Sequence, residues 1–432
     1  MRKYSEYKNS DIPWIGDIPS HWNIQRGKNV LTLLDRPILD TDDVITCFRD
    51  GEVTLRKNRR EEGFTLSFQE IGYQGIEPGD LVVHGMDGFA GAIGVSDSRG
   101  KATPVLNVMD SIHNKRFLMY YLRTAAYKDV FMSLSTGIRV RSCDFRWNKL
   151  SVFPFVLPER EEQDRIAEYI DNKLLQINNI ISEAKASIEE YKAWKASIIY
   201  EAVTKGLDPN VEMKDSGIEW IGKMPNHWKL TPFKHVLSER NERNDPIVST
   251  ERLSLSIDLG VTLYADKTTN LDRLKEDFAQ YKLAHEGDLV MNSMNMIVGA
   301  SGVSAWFGCV SPAYYTFYDN ESDHITAKFC EYVFRNKAML RVLHSMGKGI
   351  YSIDRGDDRV NTCRLKVAKD ELRCVLLPVP PLEEQRRIVS FLYNRCKNID
   401  DLIAEKEALI IDLESYKKAL VFEVVTGKRK VY

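Results

Sequence analysis

Ser10–Trp22 reads SDIPWIGDIPSHW and Ser216–Trp228 reads SGIEWIGKMPNHW, so Trp14, Ile15, Gly16, Pro19, His21 and Trp22 recur 206 residues later. Gly79-Asp80-Leu81-Val82 returns as Gly287-Asp288-Leu289-Val290, an offset of 208. The same register carries Gly91-Ala92, Gly94-Val95-Ser96 and Pro104 onto Gly299-Ala300, Gly302-Val303-Ser304 and Pro312. A third pairing, at 222, joins Glu161-Glu162-Gln163 to Glu383-Glu384-Gln385 and Val203-Thr204 to Val425-Thr426. Three echoes in one order mark an internal duplication. A unit of about 200 residues is domain-sized, not a short solenoid repeat.

The growing offset locates the differences between the copies. The second gains two residues between the first and second echoes and fourteen between the second and third, yet Pro158–Thr204 and Pro380–Thr426 keep one register throughout. Loops tolerate insertions and a paired helical face does not, so each half reads as a variable body followed by a helix of fixed length. Alternating steps of three and four give Ala167, Ile170, Leu174, Ile177, Ile181, Ala184, Ile188, Tyr191, Lys195, Ile198 and Ala202 in the first copy. In the second they give Val389, Leu392, Cys396, Ile399, Ile403, Lys406, Ile410, Leu413, Lys417, Leu420 and Val424. Pro158 and Pro380-Pro381 precede these runs and Gly206 and Gly427 follow them, as helix boundaries require. A stripe of two positions in seven is a coiled-coil seam. Chain order requires the second helix to run back along the first, so the expected pair is antiparallel, about 65 Å long at 1.5 Å per residue. Lys195 and Lys417 interrupt the seam, either snorkelling near its ends or meeting a partner protein.

The fold class expected is therefore α+β: two similar α/β bodies separated by a long antiparallel two-helix coiled coil, with a pseudo-two-fold internal repeat. The boundaries are residues 1–156 for the first body, 157–206 for the first helix, 207–378 for the second body and 379–432 for the second helix. Asp80–His84, Ala92–Ser96, Ser151–Val156 and Arg373–Leu377 read as strands, and Lys115–Phe131 and Ala327–His344 as helices. The tryptophans of the opening motifs read as structural staples on each body's first strand.

The 60 Lys and Arg against 62 Asp and Glu leave a net charge of −2, which argues against nonspecific coating of nucleic acid but not against local basic faces. Seven scattered cysteines without CxxC or Cys/His ligand spacing favour reduced thiols, and no signal peptide or membrane-length apolar run is visible. A cytoplasmic protein without a metal site is expected.

Contact chemistry concentrates where the copies diverge. After the GDLV strand one copy has His84-Gly85-Met86-Asp87 and the other Asn292-Ser293-Met294-Asn295. Further on, Thr136–Arg141 corresponds to Lys348–Tyr351 and, past an insertion, to Arg359–Asn361, and Arg139, Arg141, Arg146 and Lys149 sit with one nearby acid, Asp144. Arg56, Lys57, Arg59 and Arg60 form a second basic cluster. Arg forks onto guanine and Asn onto adenine, while Lys and Thr hold phosphates. Any one of these clusters alone is an ordinary solvated surface. In a duplicated context they suggest two heads with different reading loops, recognising two different short sequences at a set distance.

Catalytic signatures are lacking. The stretch from Gly94 to Gly100-Lys101 is one residue too long for a phosphate loop, and Ala102 stands where Ser or Thr is needed. No NPPY- or DPPY-type motif and no HExxH occurs, and the nuclease-like match Asp171, Glu183 and Lys185 lies along the heptad helix. A subunit that recognises and scaffolds while others catalyse fits this pattern.

The chain resembles the specificity subunit of type I restriction-modification enzymes over essentially its whole length. The carriers are the WIGDIPSHW and WIGKMPNHW openings, the GDLV strands, TGIR at Thr136–Arg139, and the LPEREEQDRIA and PPLEEQRRIV entries into helices ending in AVTKG and VVTGK. The resemblance implies two target-recognition domains, each reading half of a bipartite asymmetric site in double-stranded DNA. It implies a two-helix spacer that docks two modification subunits carrying S-adenosylmethionine for adenine methylation. Restriction subunits, where present, add ATP- and magnesium-dependent translocation and cleavage. No catalysis and no cofactor is implied for this chain. TGIR is intact only in the first half; the second has KGIY and the insertion Ser352–Asn361, which favours Arg139 over Tyr351 as a contact and leaves Arg355 or Arg359 open as its counterpart. Two other readings are the recognition piece of a different DNA-modification or phage-defence complex, and a coiled-coil scaffold without DNA.

Overall fold

The computed structural model describes residues 2–59, 71–133, 145–267, 277–320, 323–350 and 364–431. Helix and strand are mixed. Four helices exceed ten residues among the described residues: α1 (Lys115–Tyr127), α2 (Arg160–Lys205), α3 (Ile325–Arg335) and α4 (Leu382–Val425). The chain divides into two units, Met1–Lys185 with Glu407–Tyr432, and Ala186–Lys406. Each unit therefore combines one body with the beginning of one long helix and the end of the other.

The first unit is built on a four-stranded antiparallel sheet of β1 (Thr32–Leu33), β2 (Leu81–His84), β3 (Ile93–Val95) and β4 (Leu106–Asp110), in the order β1-β4-β2-β3. Side chains alternate across a strand. Leu81, Val83 and Met109 face the core that holds α1 and α2, while Val82, Leu106 and Val108 face a smaller core made with the hairpin Ile45–Cys47 and Val53–Leu55. The GDLV strand is apolar at consecutive positions because both of its faces are buried. The acidic residue of that motif is structural as well: Asp80, 3% exposed, takes both guanidinium nitrogens of Arg36 and the Glu77 N–H.

The second unit repeats this plan. The strands β5 (Ser238–Arg240), β6 (Leu289–Asn292), β7 (Ser301–Val303) and β8 (Tyr314–Tyr318) follow the order β5-β8-β6-β7. Leu289 and Met291 face one core and Val290 the other. Asp288 accepts from Arg240 Nε at 2.6 Å and from the His285 N–H at 2.8 Å.

The WIG…HW motifs form short hairpins, Tyr7–Asn9 with Asp17–Pro19 and Met213–Asp215 with Lys223–Pro225. Their second tryptophans, Trp22 and Trp228, are fully buried. The staple reaches further than a first strand, because it grips the long helices. His21 Nε2 bonds Glu162 at 3.0 Å, Tyr4 donates its hydroxyl to the same carboxylate at 2.6 Å, and Tyr7 donates its hydroxyl to the Gly427 carbonyl. In the second unit His227 bonds Glu384 at 2.8 Å. Gly427, at φ +73°, closes α4 in the left-handed conformation that glycine adopts freely, and a Cβ there would lie 2.3 Å from Pro19 Cδ. Gly206 has the same place at the end of α2, against Trp228 and Glu384.

Within each unit the helix segments run antiparallel. In the first, Glu162 and Gly427 share the hairpin at one end while Lys417 Nζ reaches Asn178 further along, at 2.8 Å. In the second, Gly206 abuts Glu384, and Lys195 Nζ bonds Asp400 at 2.6 Å. Both lysines expected at the seam are thus paired inside the chain. Ile170, Ile177, Ile181, Ile188, Leu392 and Ile399 are buried, and Leu174, Ile403, Ile410 and Leu413 are half-buried.

Four segments differ from expectation. The first helix stops at Tyr127 and a short one resumes at Val130, across Asp129 at φ +56°. The second breaks at Asn336, whose side chain caps a new helix, Lys337–Met346, by accepting from the Ala338 N–H. Arg373 lies in a helix, Lys369–Cys374, and the strand begins only at Leu376; Lys369 and Arg373 both bind Glu239, which holds that turn against the body. Ser151–Phe153 likewise follows a helical turn, Trp147–Leu150, and precedes the strand Pro154–Leu157.

Candidate nucleic-acid interface

β2 and β6 each end in a tight turn where the two copies differ. In the first, the ring nitrogen Nδ1 of His84 accepts from the Met86 N–H at 3.2 Å and the Asp87 N–H at 2.9 Å, and Asp87 binds Arg49 at 2.9 Å. Burial, and to a smaller extent Arg49, lowers the His84 pKa below its ordinary value against the pull of Asp87, so the imidazole stays neutral and able to accept. In the second, Asn292 Oδ1 accepts from the Met294 N–H at 3.1 Å. Histidine and asparagine therefore do the same local work, and Asn292 is buried in doing it. Met86, 50% exposed, and Asn295 are the exposed members of the two turns.

A second segment returns to each turn. Phe145, buried and stacked on Phe131 at 3.9 Å, donates its N–H to the Gly85 carbonyl at 2.9 Å. Its carbonyl accepts from Asn107 Nδ2 at 3.3 Å, and the same amide also reaches the Val83 carbonyl at 3.2 Å. In the second unit Val367 donates to the Ser293 carbonyl at 3.0 Å and accepts from the Tyr315 hydroxyl at 3.1 Å. The exposed Arg146 follows Phe145, and the exposed Lys366 precedes Val367. Asn107, Tyr315 and Lys366 are not visible as site residues from single-motif reading. The signal available was a pair of hydrogen-bonding residues, Asn107 and Tyr315, at the same offset of 208 as the GDLV strands.

The remaining expected residues are placed as follows. Arg56 Nε donates to Thr46, Lys57 pairs with Asp43 at 2.6 Å, and Arg59 pairs with Asp50 and Glu52 while stacking 4.2 Å over Phe48. The described members of this basic cluster, Arg56, Lys57 and Arg59, are thus partnered inside the body. Lys348 pairs with Glu371 at the edge of a two-stranded ribbon formed with Arg364–Lys366. Arg60, Thr136, Arg139, Arg141, Tyr351, Arg355, Arg359, Asn361 and the Ser352–Asn361 insertion lie outside the described residues. Burial pushes the Cys47 thiol up to about 12, and those of Cys309, Cys330 and Cys396 upward too, so these cysteines stay protonated and inert. Among the described residues, no group of three or more His, Cys, Asp or Glu is placed to hold a metal ion, and no helix is long and apolar enough to cross a membrane.

No protein-family model matches the chain. Its sequence is 21% identical, over 99% of its length and 98% of the relative's, to a chain assigned as the MjaX specificity subunit of a type I restriction enzyme in Methanocaldococcus jannaschii. That likeness runs from end to end of both chains. Solved structures carry the same fold. A chain from a type I restriction-modification system, solved to describe its complex assembly and conformational transition, aligns over 94% of this chain and 98% of its own with a TM-score of 0.66 and 14% identity. The HsdS subunit of Thermoanaerobacter tengcongensis aligns over 95% and 98% with a TM-score of 0.52 and 15% identity. On this fold the chain presents two matched turn-and-return sites that share backbone bonding and differ in exposed side chains.

Proposed function

We propose that this chain reads a bipartite, asymmetric sequence in double-stranded DNA, one half-site per unit, for a type I restriction-modification complex. The carrying observation is the equivalence of the two sites: identical backbone docking around turns that expose different chemistry, Met86 and Arg146 in one unit and Asn295 and Lys366 in the other. Guanidinium and amide groups on such turns are suited to base edges and phosphates. A fold that keeps the frame and varies the tips is what reading two unrelated short sequences requires.

In this reading α2 and α4 form an antiparallel spacer between two target-recognition domains and carry two methyltransferase subunits, with restriction subunits where the host supplies them. Support comes from the outer positions of the heptads. On one side of the seam in the first unit stand Ile180, Leu409 and Tyr416, all exposed, and in the second stand Trp194 and Leu402, also exposed. The other side carries Asp171, Asn178, Lys185 and Glu414 in the first unit, and Lys192 and Asp400 in the second. The exposed Tyr393 stands on this side of the second unit too, and exposed apolar side chains beside a seam are what a docking helix of a partner subunit needs. Catalysis, S-adenosylmethionine and ATP belong to those partners.

The test is methylation mapping with purified components. The chain alone transfers no methyl group, and the chain with an adenine methyltransferase subunit methylates one bipartite sequence. Methylation by the isolated chain, or methylation without sequence preference in the complex, overturns the proposal.

A further inference from the structure

We infer that Asn107 and Tyr315 are positioning residues for the two half-sites, each setting the geometry of its recognition face from inside the sheet; this rests on the DNA-reading function proposed above. The two residues occupy one place in the fold. Asn107 pairs with Val83 in the β4–β2 ladder and Tyr315 pairs with Met291 in the β8–β6 ladder, 208 residues apart in both strands. Neither side chain resembles the other, yet both donate to the carbonyl of the equivalent returning residue, Phe145 or Val367, which lie 222 apart. Both N–H and C=O of that residue are thereby held, the first by the turn after the GDLV strand and the second by the central strand's side chain.

Placing a polar side chain within a sheet core costs free energy unless it is bonded, so an amide at 9% exposure in a strand otherwise lined by Leu106, Val108 and Met109 needs a purpose. The bond supplies one. Asn107 holds the backbone that leads directly into Arg146 against the turn that carries Met86. Tyr315 does the same for Lys366 and Asn295. Contact residues held to within about 0.5 Å discriminate between bases, and the same residues on a slack backbone keep charge attraction but lose discrimination. Asn107 and Tyr315 need not touch DNA to do this.

The experiment uses the full chain assembled with its methyltransferase subunits and selects binders from randomised duplex DNA, with Tyr315→Phe and Asn107→Leu beside the unchanged chain. Tyr315→Phe removes one hydroxyl and keeps the ring. Its expected effect is a loss of base preference of about threefold to tenfold at one half-site, with the other half-site unchanged and the thermal midpoint lowered only slightly. Asn107→Leu shows the mirror pattern, losing preference at the opposite half-site. Unchanged preference in both variants, or an equal loss at both half-sites from either one, overturns the inference while leaving the DNA-reading function standing. If the unchanged chain selects no bipartite sequence, the function fails and this inference falls with it.

Discussion

His84 and Asn292 show how one backbone demand is met by two chemistries. Each closes the turn after its GDLV strand by accepting an N–H two residues on, but only histidine titrates near neutrality. With its folded pKa below the ordinary value of about 6.5, His84 stabilises the turn fully above that pH and loses the contribution as pH falls through the lowered value. Protonation removes the lone pair that accepts from Met86 and Asp87. His84→Asn, which imports the second copy's solution, should flatten the acid side of the stability profile relative to the unchanged chain, measured by thermal melts between neutral and mildly acidic pH. A variant as acid-sensitive as its parent would show that His84 is not the titrating group. The Asp80–Arg36 pair makes a separate case. Asp80→Asn leaves a half-buried guanidinium without its carboxylate and should cost roughly 2 kcal/mol in urea unfolding. A loss below about 0.5 kcal/mol, the scale of an exposed pair, would contradict the clamp.

Among the elements, the long helices were the most legible. A strict three-four alternation, proline before and glycine after determine a helix with one buried edge whatever it packs against, and the structure places those positions inward. The exposed apolar residues beside the seam are a different matter. Trp194 and Leu402 sit at outer positions where a two-helix pair by itself would favour polar residues. Trp194→Glu should leave helix content unchanged by circular dichroism and abolish co-purification with the methyltransferase subunit. Retained assembly would move the docking surface elsewhere. The helix breaks at Asp129 and Asn336 were not legible, because both runs keep helical periodicity across them. A left-handed aspartate and an asparagine cap decide the stops locally.

At the scale of the molecule, the units are not consecutive in sequence. The first unit owns Met1–Lys185 and also Glu407–Tyr432. Trp22 shares a core with Leu420, Val424 and Val425, and Gly427 sits against Pro19. Removing the chain from Glu407 onward should therefore unfold or loosen the N-terminal body, seen as lost amide protection around Trp22, while Trp228, with Val203, Ile388 and Leu392 in its own core, keeps its protection. Equal loss in both bodies, or none, would contradict this division. The sequence by itself determined the duplication, the heptad helices and the apolar strands, because repetition and periodicity are properties of the chain and survive without knowing its partners in space. Only the tertiary structure decided which glutamate each motif histidine binds, which half of each long helix joins which body, and that a strand asparagine and a strand tyrosine hold equivalent carbonyls. Those are contacts between residues more than thirty positions apart, and nothing local in the sequence distinguishes a polar side chain that will find such a partner from one that will meet water.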